Sequence, residues 1–114
     1  MSEVTIFHNP RCSKSRQTLA LLEERGIEPH IVLYLEQPPS VGELRTLLTE
    51  LGIGPRDLAR TKESIYAELD LEGASDDDLI TAMTTHPILI ERPIVQANGK
   101  AALGRPPEAV ISIL

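Results

Sequence analysis

The sequence predicts an α/β fold in the order βαβ, a helical middle, then ββα, and three observations carry that prediction. A β-branched and aromatic run, Val4-Thr5-Ile6-Phe7, precedes a leucine-bearing helical segment and a second apolar run, His30-Ile31-Val32-Leu33-Tyr34-Leu35. Between Ser40 and His86, apolar residues recur at helical spacing behind recognisable cap residues. Beyond Pro93, two short apolar runs flank Asn98-Gly99, a pair that tight hairpin turns favour.

Taken in order, the first strand is interrupted by Pro10, and Ser15 to Arg25 reads as a helix with Leu19 and Leu22 three apart and Gly26 as its stop. The nearly unbroken apolar run from His30 implies a strand buried on both faces. This spacing makes a βαβ unit with parallel strands, and Cys12 falls at the carboxyl end of the first, where ligands of open α/β sheets bind. Gln37-Pro38-Pro39 is a turn, and Ser40 with Glu43 forms a capping box. Val41, Leu44, Leu47, Leu48 and Leu51 supply the stripe of the helix that follows. Gly52 and Gly54 end it, Pro55 opens a short turn through Leu58, and Glu63 to Leu69 is helical. Ser75 before Asp76-Asp77-Asp78 caps a helix with Leu79, Ala82, Met83 and His86 on one face before Pro87. Three adjacent carboxylates lack the alternate spacing and glycine of a calcium loop, so capping explains them better. Ile94-Val95 and Ala101-Ala102-Leu103 form the hairpin, and Pro106-Pro107-Glu108 starts a terminal helix with Val110, Ile111 and Leu114 on one side.

With 114 residues, 41% hydrophobic and 25% charged, the chain reads as one domain over residues 1–114. Its single cysteine excludes an internal disulfide framework and fits a reducing compartment. The start, Met-Ser-Glu-Val, lacks a signal pattern, and no apolar stretch approaches membrane-spanning length, so a cytoplasmic location is expected. A net charge of −6 argues against nucleic-acid or acidic-membrane binding and predicts an acidic exterior around a concentrated basic pocket. The size and the lack of an interface stripe predict a monomer.

Chemistry concentrates in His8-Asn9-Pro10-Arg11-Cys12-Ser13-Lys14-Ser15-Arg16. Cys12 lies at or near a helix N-terminus, where unpaired N–H groups and the macrodipole favour an anion, so its thiol ionises readily and is nucleophilic. Arg11, Lys14 and Arg16 push the same way where they face inward, but their spacing forbids all three from doing so, and Arg16 or Lys14 is expected to help, not both. His8 is placed either to orient the loop or to tune the thiolate. His30 and His86 have structural readings, and the histidines with Cys12 show no metal-ligand spacing.

These residues, with Arg60, the segment His86-Pro87-Ile88-Leu89-Ile90, Arg92-Pro93-Ile94-Val95 and Gly104-Arg105-Pro106, give the chain a resemblance along essentially its whole length. It resembles the glutaredoxin-coupled arsenate reductases, and more closely a short bacterial branch of them. The resemblance implies a thioredoxin-like fold, a four-stranded mixed sheet with a helical insertion between its halves. It implies Cys12 as nucleophile, Arg60, Arg92 and Arg105 as oxyanion ligands, supporting roles for His8, Ser15, Arg16 and Pro93, and a cis bond before Pro93. It further implies no bound cofactor, glutathione as co-substrate and glutaredoxin as electron donor. Lys14 stands where the longer enzymes carry a small or hydroxyl residue, and those enzymes continue past the position of Leu114.

Two other readings compete, and a third, phosphatase-like anion chemistry, is rejected. A phosphatase-like loop needs an arginine six positions after its cysteine, and Thr18 is there. A general glutathione-dependent monothiol oxidoreductase would need Cys12 but not three arginines. The related transcription-regulating branch, which binds RNA polymerase, usually carries a Cys-x-x-Cys pair, and Ser15 holds the second position here.

Overall fold

Val4-Thr5-Ile6-Phe7 forms strand β1 (Val4–Phe7), the centre of the first of two compact units in a computed structural model that describes residues 4–114. This unit takes the chain through Gln37 and again from Arg92 to Leu114. Its helix α1 (Ser13–Glu24) leads to β2 (His30–Val32), parallel to β1, and the later part adds the hairpin β3 (Ile94–Ala97) and β4 (Lys100–Leu103). The sheet order is β2-β1-β3-β4, with β3 antiparallel to both β1 and β4. A four-stranded mixed sheet of βαβ and ββα halves is the architecture the sequence and its resemblance led us to expect.

The register fixes where chemistry can occur. Phe7, the last residue of β1, pairs with Ile94, the first of β3, and Ile94 pairs with Leu103, the last of β4. The segments beginning at His8, ending at Pro93 and beginning at Gly104 therefore leave the sheet side by side. Beneath them Ile6, Leu22, Val95, Ala97, Val110 and Ile113 form the core, with Val4, Leu19 and Ile27 packed against it. Full burial of each large aliphatic side chain contributes roughly 1.5–3 kcal/mol, which anchors β1 and α1 on either side of the loop between them. At the hairpin, Asn98 and Gly99 both adopt positive φ, 56° and 74°, as a two-residue turn matched to strand twist requires.

Three expectations need correction. The run from His30 is not a strand buried on both faces: β2 stops at Val32, lies at the sheet edge and exposes His30 and Ile31. The chain turns at Leu33, whose carbonyl accepts from Glu36 and Gln37, and it is Tyr34 in that turn that is buried. The terminal helix is a 3-10 helix, Pro107–Ile113, so its period of three buries Pro107, Val110 and Ile113 where α-helical spacing had selected Ile111 and Leu114. His86 does not extend the buried face of its helix but ends it as the C-cap, at φ −125°.

The second unit, residues 38–91, is helical. Its helices are α2 (Val41–Leu51), α3 (Pro55–Leu58), α4 (Ser64–Glu68) and α5 (Asp76–Thr85), with 3-10 helices at Leu71–Gly73 and Pro87–Leu89. Leu44, Leu47 and Leu48 of α2 are buried with Leu79, Ile80, Ala82 and Met83 of α5, whereas Val41 is exposed. Ser40 closes the expected capping box: Glu43 N–H donates to Ser40 Oγ at 3.2 Å, and Ser40 N–H donates to Glu43 Oε1 at 3.0 Å. Ser75 caps α5 by accepting from Asp78 N–H at 3.2 Å. Ser40→Ala is expected to destabilise the protein by about 1 kcal/mol in denaturant unfolding and to leave the titration of Cys12 unchanged. Arg56, which the sequence did not single out, clamps this unit by donating to Tyr66 Oη, Leu71 O and Ala74 O at 2.7, 3.1 and 2.6 Å. No helix among the described residues is long and apolar enough to cross a membrane.

Candidate active site

The loop after β1 is a turn built by its own sequence. Cys12 N–H donates to Asn9 O at 3.0 Å, and Pro10 supplies the fixed φ that the second position of such a turn favours. Asn9 Oδ1 accepts from Arg11 N–H at 3.0 Å, reinforcing the turn from its side chain. The chain thus delivers Cys12 as the N-cap of α1, in extended conformation, with the first orphan N–H groups of the helix beyond it.

Ser15, one turn into α1 and fully buried, bolts the helix to the loop. Its Oγ accepts from Asn9 N–H at 3.0 Å and shares a 2.6 Å hydrogen bond with His8 Nδ1. His8 N–H in turn donates to Val32 O at 2.8 Å, tying the loop to β2. His8 therefore meets Ser15 on one side and β2 on the other. Arg16 Nη1 donates to Pro10 O at 2.8 Å, clamping the turn from outside.

Cys12 is buried, and burial by itself raises its pKa. That effect is outweighed by the Ser15 N–H, by the charge of Arg92 and its hydrogen bond to the sulfur, and by the Lys14 N–H, so the thiol ionises below its ordinary value of 9.0. Lys14 thus acts through its backbone while its side chain stands exposed. The Nε and Nη1 atoms of Arg92 are shielded from water, which strengthens their field at the sulfur. Arg105 Nε donates to Arg92 O at 2.8 Å, coupling the two arginines. Both precede prolines in cis, Arg92-Pro93 as expected and Arg105-Pro106 as an addition that the sequence reading did not contain.

Burial, and secondarily the charge of Arg16, lower the His8 pKa below its ordinary 6.5, so the imidazole is neutral at pH 7. Between that lowered value and 6.5 the unfolded chain binds more protons than the folded one, so stability falls as pH drops through this window. His8→Gln is expected to flatten the decline in melting temperature between pH 7 and pH 5, measured by calorimetry.

Arg60 belongs to the helical unit, where its guanidinium is held by Glu91 Oε1 at 3.1 Å and Glu63 Oε2 at 3.4 Å and is about one-fifth exposed. Its N–H donates to Leu89 O at 2.7 Å, beside the bridge between Ala59 and Ile90. The structure therefore gathers Cys12, His8, Ser15, Arg16, Arg92, Pro93 and Arg105 within one unit and finds Arg60 in the other. Sequence reasoning missed Asn9 as a turn-former, although Asn-Pro is a turn signal, and Thr18 and Gly104 as packing partners. A cleft of about 370 Å³ opens on the β2 side of the loop, between residues 8–11 and Leu33, Leu35 and Glu36, and neither Cys12 nor Arg92 lines it.

A nucleophilic thiolate at a helix N-terminus, faced by a guanidinium, is suited to attack the electrophilic centre of an oxyanion. The chain is similar to an uncharacterized Escherichia coli (strain K12) protein, YfgD, at 56% identity over 98% of this chain and 97% of that one. It is 50% identical, over the full length of both, to a Neisseria meningitidis protein named arsenate reductase. The solved structure of an arsenate reductase from Vibrio cholerae superposes with a TM-score of 0.95 at 56% identity, covering 98% of each chain. The family model described as "ArsC family" matches residues 7–113, and the chain belongs to that family.

Proposed function

We propose that the protein is an arsenate reductase that uses glutathione and glutaredoxin. The observation that carries this reading is the placement of Cys12, whose ionisation the α1 amides and Arg92 favour against the effect of burial. Arsenate is an anion, so a thiolate attacks it only where fixed positive charge offsets their repulsion. Guanidinium suits that task because it stays charged and grips two oxygens at once. Arg92 is assigned both to the thiolate and to the oxyanion, Arg105 to the oxyanion beside it, and Arg60 to the same oxyanion on the strength of the family resemblance. Binding of arsenate by Arg60 would compete with Glu63 and Glu91 for its donors.

In the proposed reaction the Cys12 sulfur forms a bond to arsenic and an arsenate oxygen departs, protonated, as water. Reduction of arsenic from the pentavalent to the trivalent state takes two electrons, which two thiols supply as they join in a disulfide. Cys12 is the only cysteine in the sequence, so the second thiol comes from outside the chain, and glutathione fills that role. Closure of the disulfide between Cys12 and glutathione breaks the sulfur–arsenic bond and releases arsenite; glutaredoxin then takes up the glutathione by thiol–disulfide exchange, Cys12 returns to the thiolate, and a further glutathione reduces glutaredoxin. Residues 1–114 act in this reading as one monomeric, cytoplasmic domain without a bound cofactor, and light scattering tests the monomer.

The reaction is tested by arsenate-dependent NADPH oxidation with glutathione, glutathione reductase and glutaredoxin. Turnover that needs arsenate, glutathione and glutaredoxin supports the proposal. Its absence from folded, reduced protein counts against it, and glutathione-linked turnover independent of arsenate points to the general oxidoreductase reading.

A further inference from the structure

Gly104 stands between Leu103, the last residue of β4, and Arg105. It is buried, and its N–H donates to Pro93 O at 2.9 Å. A β-carbon at this position would overlap Thr18 Oγ1, stand 2.7 Å from Pro93 Cγ and lie 3.2 Å from Thr18 Cγ2. Thr18 cannot swing away at little cost, because it is fully buried and its hydroxyl donates to Lys14 O at 2.8 Å. A dense core transmits such an overlap to its neighbours.

The neighbours adjoin the groups that serve the sulfur. Thr18 is bonded to Lys14, whose N–H favours the Cys12 thiolate. Pro93 follows Arg92, whose charge and hydrogen bond favour it too, and Arg105 follows Gly104 and donates to Arg92 O. We propose that Gly104 is a positioning residue whose missing side chain lets the end of β4 close on Thr18 and Pro93, holding Arg92 and Arg105 at the Cys12 site. The thiolate part of this role stands without the arsenate reading, and the oxyanion part rests on it.

The test compares Gly104→Ala, Thr18→Ala and the double variant with the parent protein. Two quantities are measured: the pH dependence of Cys12 alkylation by iodoacetamide, and the protection from alkylation that arsenate gives. Gly104→Ala is expected to raise the Cys12 pKa toward 9.0 and to weaken arsenate protection by about tenfold, as small displacements of preorganised groups do. Thr18→Ala should titrate close to the parent, and the double variant should recover part of the loss, the contact with Pro93 remaining. A Gly104→Ala protein that melts earlier yet keeps the parental titration and protection would overturn the proposal. Should that variant not fold, the double variant carries the test against Thr18→Ala: a higher Cys12 pKa supports the role, and an identical one overturns it. Absence of arsenate protection in the parent counts against the arsenate reading, and the titration still judges Gly104.

Discussion

Cys12→Ser is expected to reduce arsenate turnover by at least about a thousandfold while leaving the fold intact, because in the proposed reaction Cys12 is the group that bonds arsenic and carries electrons. A serine hydroxyl is not ionised near neutrality and forms no disulfide, so neither the amides of α1 nor Arg92 restores the reaction. The same substitution is mild structurally. Position 12 is the N-cap of α1, and serine is among the best residues there, accepting from the N–H two or three positions on. Calorimetry should therefore show a melting temperature near the parental one alongside a dead enzyme.

Arg92→Ala is expected to lower kcat/KM by roughly a hundred- to a thousandfold, the usual cost of deleting one preorganised charge donor. It should also raise the Cys12 pKa, since Arg92 offsets the effect of burial both through space and by a hydrogen bond to the sulfur. The folded thiol ionises below its unfolded value of 9.0, so its contribution to stability is fully present above 9.0 and is lost as pH falls through the folded pKa. Arg92→Ala narrows that window from below. Arg92→Lys keeps a charge but loses the planar fork, and should restore the thiolate pKa better than it restores kcat/KM. Alkylation kinetics across pH separate the two effects from each other.

Much of this was legible in the sequence because it depends on local rules. The β-branched run at Val4, the Ser40 and Glu43 box, the Ser75 cap and the Asn98-Gly99 turn each encode their conformation in a few adjacent residues. The placement of Cys12 at a helix N-terminus followed from Pro10 and the leucines of α1. What stayed hidden depends on tertiary placement. The apolar run from His30 could not reveal that β2 pairs on one side only, nor that the chain turns at Leu33 to bury Tyr34. Periodicity over a few residues at the C-terminus did not separate a period of three from 3.6, which decided whether Ile113 or Leu114 was buried. Within the site, the cluster of basic residues marked the right loop but not their directions. Arg16 turns to Pro10 O, Lys14 contributes its amide, and the cation facing the sulfur is Arg92, far along the chain. Only the β1–β3 register brings it there.

The most direct test of the account is mass analysis of Cys12 after anaerobic incubation of the reduced protein with arsenate and glutathione, before and after glutaredoxin is added. Without oxygen, arsenate is the only oxidant present, so a thiol adduct on Cys12 reports its reduction. The account predicts arsenite and a Cys12–glutathione disulfide only when arsenate and glutathione are both present, and removal of that disulfide by glutaredoxin. No adduct and no arsenite, or arsenite formed equally well by Cys12→Ser, would contradict it.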